Sequence, residues 1–202
     1  MKTKFSKAKI EAMFQLAYKL SFETNGKKKK KDDVYALLYC AAKNGHIRAQ
    51  FYLGVCYDLG YGTDKDLRLA FDWYLKAAKG GHRDSQYNVG FFFSTGELGI
   101  KDDKKKIYWY SKAAKAGLID AQRDLGYSYF YGEGVRKDEK TAVSWYKKAA
   151  KSNDDKANYN LGLCYKFGDG VIKSKRWAKH YFVKADRLGH KLAKGQLKRL
   201  EK

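Results

Sequence analysis

The residues best equipped for chemistry in this chain are four histidines and three cysteines, and their spacing points to architecture, not catalysis. His46 and His82 are 36 residues apart, His190 follows after three more intervals of 36, and His180 stands alone in a basic stretch. Groups that recur at a fixed interval in a repeating fold are carried on successive copies, too far apart to converge on one metal or one substrate. Cys40, Cys56 and Cys164 are an odd set with no C-x-x-C pair, so no metal or redox centre is expected of them. They read as reduced, buried small hydrophobes of a cytoplasmic protein. The acid pairs Asp102/Asp103 and Asp154/Asp155 fall in turns, where solvation accounts for them. There is no H-E-x-x-H and no G-x-S-x-G, and the Gly-x-Gly pairs end helices and do not open one after a strand. The chain is therefore expected to be no enzyme and to need neither cofactor nor metal.

The elements that carry these residues follow from the same 36-residue period. Segments beginning at Ala49, Ser85, Ala121 and Ala157 align without a gap, and a fifth start falls at Ala193. With those starts as position 1, position 9 is Tyr57, Phe93, Tyr129 and Tyr165, and position 12 is Gly60, Gly96, Gly132 and Gly168. Position 25 is Trp73, Trp109, Trp145 and Tyr181. In the copy from Ala121, apolar residues at helical spacing run to Gly132, a residue suited to the left-handed step past a helix end. A Gly-Glu-Gly-Val turn and a polar Lys-Asp-Glu-Lys stretch follow. A second helix then places Ala142, Trp145 and Ala149 on one stripe. Two antiparallel helices joined this way form an αα-hairpin. Asn153 takes the place held elsewhere by Gly81, Gly117 and Gly189. Gly54, Gly90, Gly126 and Gly162 sit inside the first helix, each at a cost of about 1 kcal/mol relative to alanine. Their recurrence calls for a compensating close contact, most simply with a neighbouring helix, and the position-25 rings are expected to anchor the core.

The reading is thus a single repeat domain over 1–202. It comprises a degenerate N-terminal copy at 5–48 with a Lys-rich loop at 23–33, copies at 49–84, 85–120, 121–156 and 157–192, and a basic capping helix at 193–202. Ala12, Leu16 and Ala17 stand for the first helix of the degenerate copy, and Val34, Leu37, Ala41, Ala42 and Gly45 for its second. The copy at 85–120 departs from the pattern. Leu98 replaces the second turn glycine and Lys106 replaces the alanine of Ala70, Ala142 and Ala178, so a distorted turn is expected there.

The phased pattern Leu125, Gly126, Tyr129, Gly132, Gly134, Val135, then Ala142, Trp145, Tyr146, Ala149, Ala150 resembles the sel-one-like repeat, a branch of the tetratricopeptide superfamily. The resemblance covers about residues 49–190 well. It implies an all-α, right-handed α-solenoid of stacked αα-hairpins that acts as an adaptor or scaffold in protein complexes. One secreted bacterial branch carries a disulfide in each repeat and is associated with β-lactam binding. This chain lacks the paired cysteines, so that property is not carried over.

Two surfaces could recognise a partner. The face of the first helices at positions 3, 7, 10 and 11 is aromatic, and by the superfamily resemblance it lines the concave groove. It carries Phe51, Val55, Tyr87, Phe91, Arg123, Tyr127, Phe130, Tyr131, Tyr159, Leu163, Lys166 and Phe167. Aromatic and arginine anchors suit a bound peptide or protein segment; lateral packing between neighbouring first helices is the competing explanation. The second surface is basic. Of a net charge of +21, residues 1–48 contribute 12 Lys/Arg against 4 Asp/Glu, and residues 171–202 contribute 11 against 2. The candidate residues are Lys27, Lys28, Lys29, Lys30 and Lys31 near the start and Lys173, Lys175, Arg176, Lys179, Lys194, Lys198 and Arg199 near the end. Such clusters bind nucleic acid or an acidic partner through counterion release. A solvated loop is the plainer account of the lysine run, and a membrane surface is disfavoured. No apolar run approaches the roughly 20 residues of a membrane span, and the first residues lack the apolar segment of a secretory signal. A monomer is expected.

Overall fold

The computed structural model describes the backbone of residues 5–22 and 28–201, and the side chains of 5–21 and 30–200. Among the described residues there are eleven helices and no strand. They are α1 (Lys7–Phe22), α2 (Lys28–Lys43), α3 (Ile47–Leu59), α4 (Leu67–Lys79), α5 (Arg83–Thr95), α6 (Asp103–Lys115), α7 (Ile119–Tyr131), α8 (Glu139–Lys151), α9 (Asp155–Phe167), α10 (Lys175–Arg187) and α11 (Ala193–Glu201). Two compact units emerge, Met1–Lys101 with α1 to α5 and Asp102–Lys202 with α6 to α11. Within each, every helix packs on the next one in sequence, as the hairpins of an all-α solenoid do.

Short polar signals set the helix ends. Second helices open on Asp66, Asp102, Asp138 and Ser174, whose side chains accept the backbone N–H three residues on. First helices end on Gly60, Gly96, Gly132 and Gly168, all left-handed. Asn153 is the one described residue other than glycine with positive φ, at 60°, and it holds the place of a helix-terminating glycine. The first-helix openings were not evident from sequence. The position-34 residues His46 and His82 accept the N–H of Ala49 and Ser85 on Nδ1 at 3.0 and 3.3 Å, and Asp154 does the same for Ala157 at 2.6 Å. His46 and His82 of the repeating histidines are therefore helix caps.

The core corrects the sequence expectation by one residue. Trp73 and Trp109 are buried, but Trp145 and Tyr181 are half-buried. The fully enclosed rings are their neighbours at position 26: Tyr74, Tyr146 and Phe182. These rings supply the close contact that the helix glycines require. A Cβ on Gly54 would lie 2.6 Å from the Tyr74 ring, on Gly126 2.8 Å from Tyr146, and on Gly162 2.5 Å from Phe182. The N-terminal hairpin carries the complementary choice, Ala17 in the glycine position and the smaller Leu38 in the ring position, both buried. Ala12 and Leu16, which stand for the first helix of that hairpin, lie in α1 as expected and are exposed.

The second turn glycines bring the repeats into backbone contact. Gly62, Gly134 and Gly170 have φ of 69–74°, and a Cβ on any of them would overlap the carbonyl of Lys31, Asp103 or Glu139 in the first turn of the preceding second helix. In the copy with Leu98, positive φ moves on to Gly99, whose N–H bonds to the Gly96 carbonyl at 2.8 Å. That is the altered turn expected there. Lys106 does not disrupt its helix: its stem is buried and its ammonium reaches Glu133 at 3.2 Å and Asp103 at 3.4 Å.

Candidate functional site

The candidate recognition face lies on α3 and α5 in one unit and on α7 and α9 in the other. Its four positions divide by environment. Position 3 belongs to the joints between repeats. Phe51 stacks on the capping ring of His82 at 4.5 Å, and Tyr159 stacks on His190 at 4.2 Å. Arg123 reaches Asp120 at 2.8 Å, Asp124 at 3.0 Å and the cap Asp154 at 2.9 Å. Burial opposes its charge, yet Asp124, Asp154 and Asp120 outweigh it and hold the guanidinium pKa above its ordinary value. Arg123 is thus a structural cation with its donors engaged, not an open anchor. Tyr87 is half-buried.

Positions 7, 10 and 11 hold the open surface. Val55 and Leu163 are half-buried, whereas Phe91 and Tyr127 are nearly half exposed. At position 10, Phe130 is half-buried, and the Lys166 ammonium donates to Gln196 Oε1 at 2.9 Å. At position 11, Tyr131 and Phe167 are each 59% exposed. Tyr127 and Tyr131 lean together with ring centroids 4.4 Å apart. Beside them a small cavity of about 50 Å³ is lined by Tyr127, Phe130, Tyr131, Tyr146, Asn160, Leu163 and Cys164. A larger depression, about 710 Å³, lies at the turns between Lys137–Lys140 and Gly168–Ile172. Asp138 there is already committed to capping α8, so the aromatic surface is the better candidate for recognition.

The same hairpin geometry is that of a known family. The Sel1 repeat model matches five successive segments, residues 10–46, 47–82, 83–118, 119–154 and 155–190. This chain belongs to the Sel1 repeat family. A Sel1 repeat protein from Oxalobacter formigenes is similar to it, with a TM-score of 0.83 at 28% identity over 96% of this chain and 76% of that one. The protective antigen c5321 of uropathogenic Escherichia coli, which displays an SLR fold, gives a TM-score of 0.81 at 30% identity, over 95% of this chain and 41% of that one. Helicobacter pylori cysteine rich protein B gives 0.52 at 32% identity, over 66% and 96%. None of the curated protein sequences matches the chain. Sel1 repeats are in general protein-interaction modules.

The three cysteines of this Sel1 protein, Cys40, Cys56 and Cys164, are free thiols. Cys56 and Cys164 are buried, which pushes each thiol up to about 12, while Cys40 is only half-buried, short of the full burial expected. No group of three or more His, Cys, Asp or Glu that could hold a metal occurs among the described residues. No described helix is long and apolar enough to cross a membrane.

The basic segments also depart from expectation. Lys28 to Asp33 are not loop but the opening of α2, since lysine is a good helix former. Lys27 and the side chains of Lys28 and Lys29 lie outside the described residues. Lys30 and Lys31 are half-buried, with the Lys31 ammonium 5.4 Å over the Tyr61 ring. Near the other end, Lys173, Lys175, Arg176, Lys179, Lys194, Lys198 and Arg199 are all exposed on or beside α10 and α11. Sequence reading missed the aromatic group among them: Trp177, His180 and Tyr181 of α10 with Tyr165 of α9. The i, i+3, i+4 spacing of the first three was the available signal.

Proposed function

We propose that this Sel1 repeat protein is an adaptor that receives a peptide or protein segment on its first-helix face. The observation that carries this reading is the exposure of Tyr127, Tyr131 and Phe167, large rings that the core leaves open, the two tyrosines lining a small cavity. Such rings lose little conformational entropy on binding and dominate interface energetics. Rigid hairpins hold them in place beforehand, which lowers the ordering cost of association. Phe51, Arg123 and Tyr159 serve this site indirectly, by fixing the angle between successive first helices.

The test is selection from a displayed peptide library, followed by titration of the selected peptides against wild type and a Tyr127→Ser/Tyr131→Ser/Phe167→Ser variant. The expected result is at least a tenfold loss of affinity with little change in unfolding midpoint. Selected peptides that bind the variant as tightly as wild type would refute the placement of the site.

A further inference from the structure

We propose a second, independent site: the face of α10 that carries Trp177, His180, Tyr181 and Lys184 binds single-stranded nucleic acid by base stacking. These four residues are spaced i, i+3, i+4, i+7 and so share one stripe of the helix. Trp177 is 46% exposed. Its ring leans on Tyr181 and Tyr165, each with its centroid 6.1 Å away, and the His180 ring meets it edge-on at 5.3 Å. Tyr165 and Tyr181 are themselves stacked at 5.5 Å, and the Lys147 ammonium of α8 lies 5.9 Å over Tyr165. The indole is thereby braced from behind while part of its surface stays open.

Cations flank this platform. Arg176, Lys184 and Arg187 are exposed, and by helical register they lie within about 100° of Trp177, whereas the only described acid of α10, Asp186, is about 180° away. Aromatic rings bordered by exposed cations form the pattern that holds single strands without sequence preference: bases on the rings, phosphates on the cations. The chain is complementary in charge to such a ligand, since residues 171–202 carry 11 Lys/Arg against 2 Asp/Glu. A membrane surface fits less well. A helix lying in a lipid interface inserts a broad apolar face, and that face of α10, Ala178, Phe182 and Ala185, is wholly buried in the protein.

The experiment is fluorescence anisotropy with dye-labelled dT12 and rU12 at 50 and 150 mM salt. Unlabelled inorganic polyphosphate serves as competitor, and sedimentation with phosphatidylserine vesicles runs in parallel. Trp177→Ala is expected to weaken oligonucleotide binding about tenfold, with Trp177→Phe close to wild type. Arg176→Gln/Lys184→Gln/Arg187→Gln should reduce the slope of log K against log salt by about 2, since each phosphate neutralised by a cation adds about 0.7 to it. Circular dichroism checks that each variant is folded. The proposal is overturned if neither oligonucleotide binds at 50 mM salt, or if Trp177→Ala binds like wild type. It is equally overturned if polyphosphate displaces the oligonucleotides as well as unlabelled dT12 does at equal phosphate, or if only the vesicles are bound. The groove of the first helices plays no part in this measurement, so the two sites stand or fall separately.

Discussion

Replacing Gly170 with alanine tests how the repeats are joined. Gly170 lies in the turn between α9 and α10 at φ 69°, with the carbonyl of Glu139 in the first turn of α8 pressed against its α-carbon. An added Cβ would overlap that carbonyl oxygen and stand 2.5 Å from its carbon and 2.9 Å from the Lys140 nitrogen. Both neighbours are backbone within a helix, so neither side can give way by a rotamer change. Left-handed conformation costs an L-residue roughly 1–2 kcal/mol, and forcing atoms into a packed site adds about 1–3 kcal/mol. The sum is roughly 2–5 kcal/mol, against a total stability on the order of 5–15 kcal/mol for such a chain. Gly189 provides the control, since it ends α10 at φ 88° with nothing within 4 Å of its would-be Cβ. Gly189→Ala should therefore show only the conformational cost. Urea unfolding followed by circular dichroism, with m-values compared to verify a common transition, should place Gly170→Ala about 1–3 kcal/mol below Gly189→Ala. Equal losses, within about 0.5 kcal/mol, would mean that the turn can move off α8 freely and that the close approach does not hold the repeats together.

Two further outcomes follow from named contacts. Gly126→Ala drives a Cβ to 2.8 Å from the buried Tyr146 ring, and adding Tyr146→Leu should recover stability with a coupling of about 1–2 kcal/mol in a double-mutant cycle, as the natural pair Ala17 and Leu38 implies; additive losses would refute the pairing. Burial lowers the His82 pKa and outweighs Asp84, with Arg48 and Arg83 acting in the same direction as burial. Its contribution to stability is therefore present above the ordinary histidine value of about 6.5 and is lost as pH falls through the lower folded value. His82→Asn keeps an acceptor for the Ser85 N–H, so its unfolding midpoint should fall less than wild type's between pH 7 and 5; parallel curves would contradict the buried-imidazole account.

The sequence made the hairpins legible because glycine and aspartate signals mark where helices start and stop. Gly60, Gly132 and Gly168 cannot be replaced by L-residues without strain, and Asp66, Asp102 and Asp138 cap in the same way each time. The division between core and surface was less legible, because two aromatic positions stand side by side in α4, α6, α8 and α10. Helical periodicity alone does not tell a ring at position 25 from one at position 26; the packing of Tyr74 and Phe182 on bare glycine backbone decides it. The recognition face blurred for a related reason. Phe51, Tyr159 and Tyr131 are the same kind of residue in sequence, and only the histidine preceding the next helix separates a ring that joins two repeats from one that faces solvent. Trp177 is invisible to the repeat pattern because its position carries leucine, lysine and threonine in the other copies, Leu69, Lys105 and Thr141.

The joints at position 3 also bear on how such a gene can grow. Phe14 with His46, Phe51 with His82, Arg123 with Asp154 and Tyr159 with His190 are matched pairs, and both members of each fall inside one family-defined segment. Unequal crossing-over with breakpoints at those segment boundaries copies or deletes a joint whole. A breakpoint between the two members would set Arg123 against an imidazole, or Asp154 against a phenyl ring, and so remove the Arg123–Asp154 ion pair from a half-buried seam. The array can thus gain or lose length in whole units while different joints coexist along it, and recombination within a unit is penalised by the fold itself.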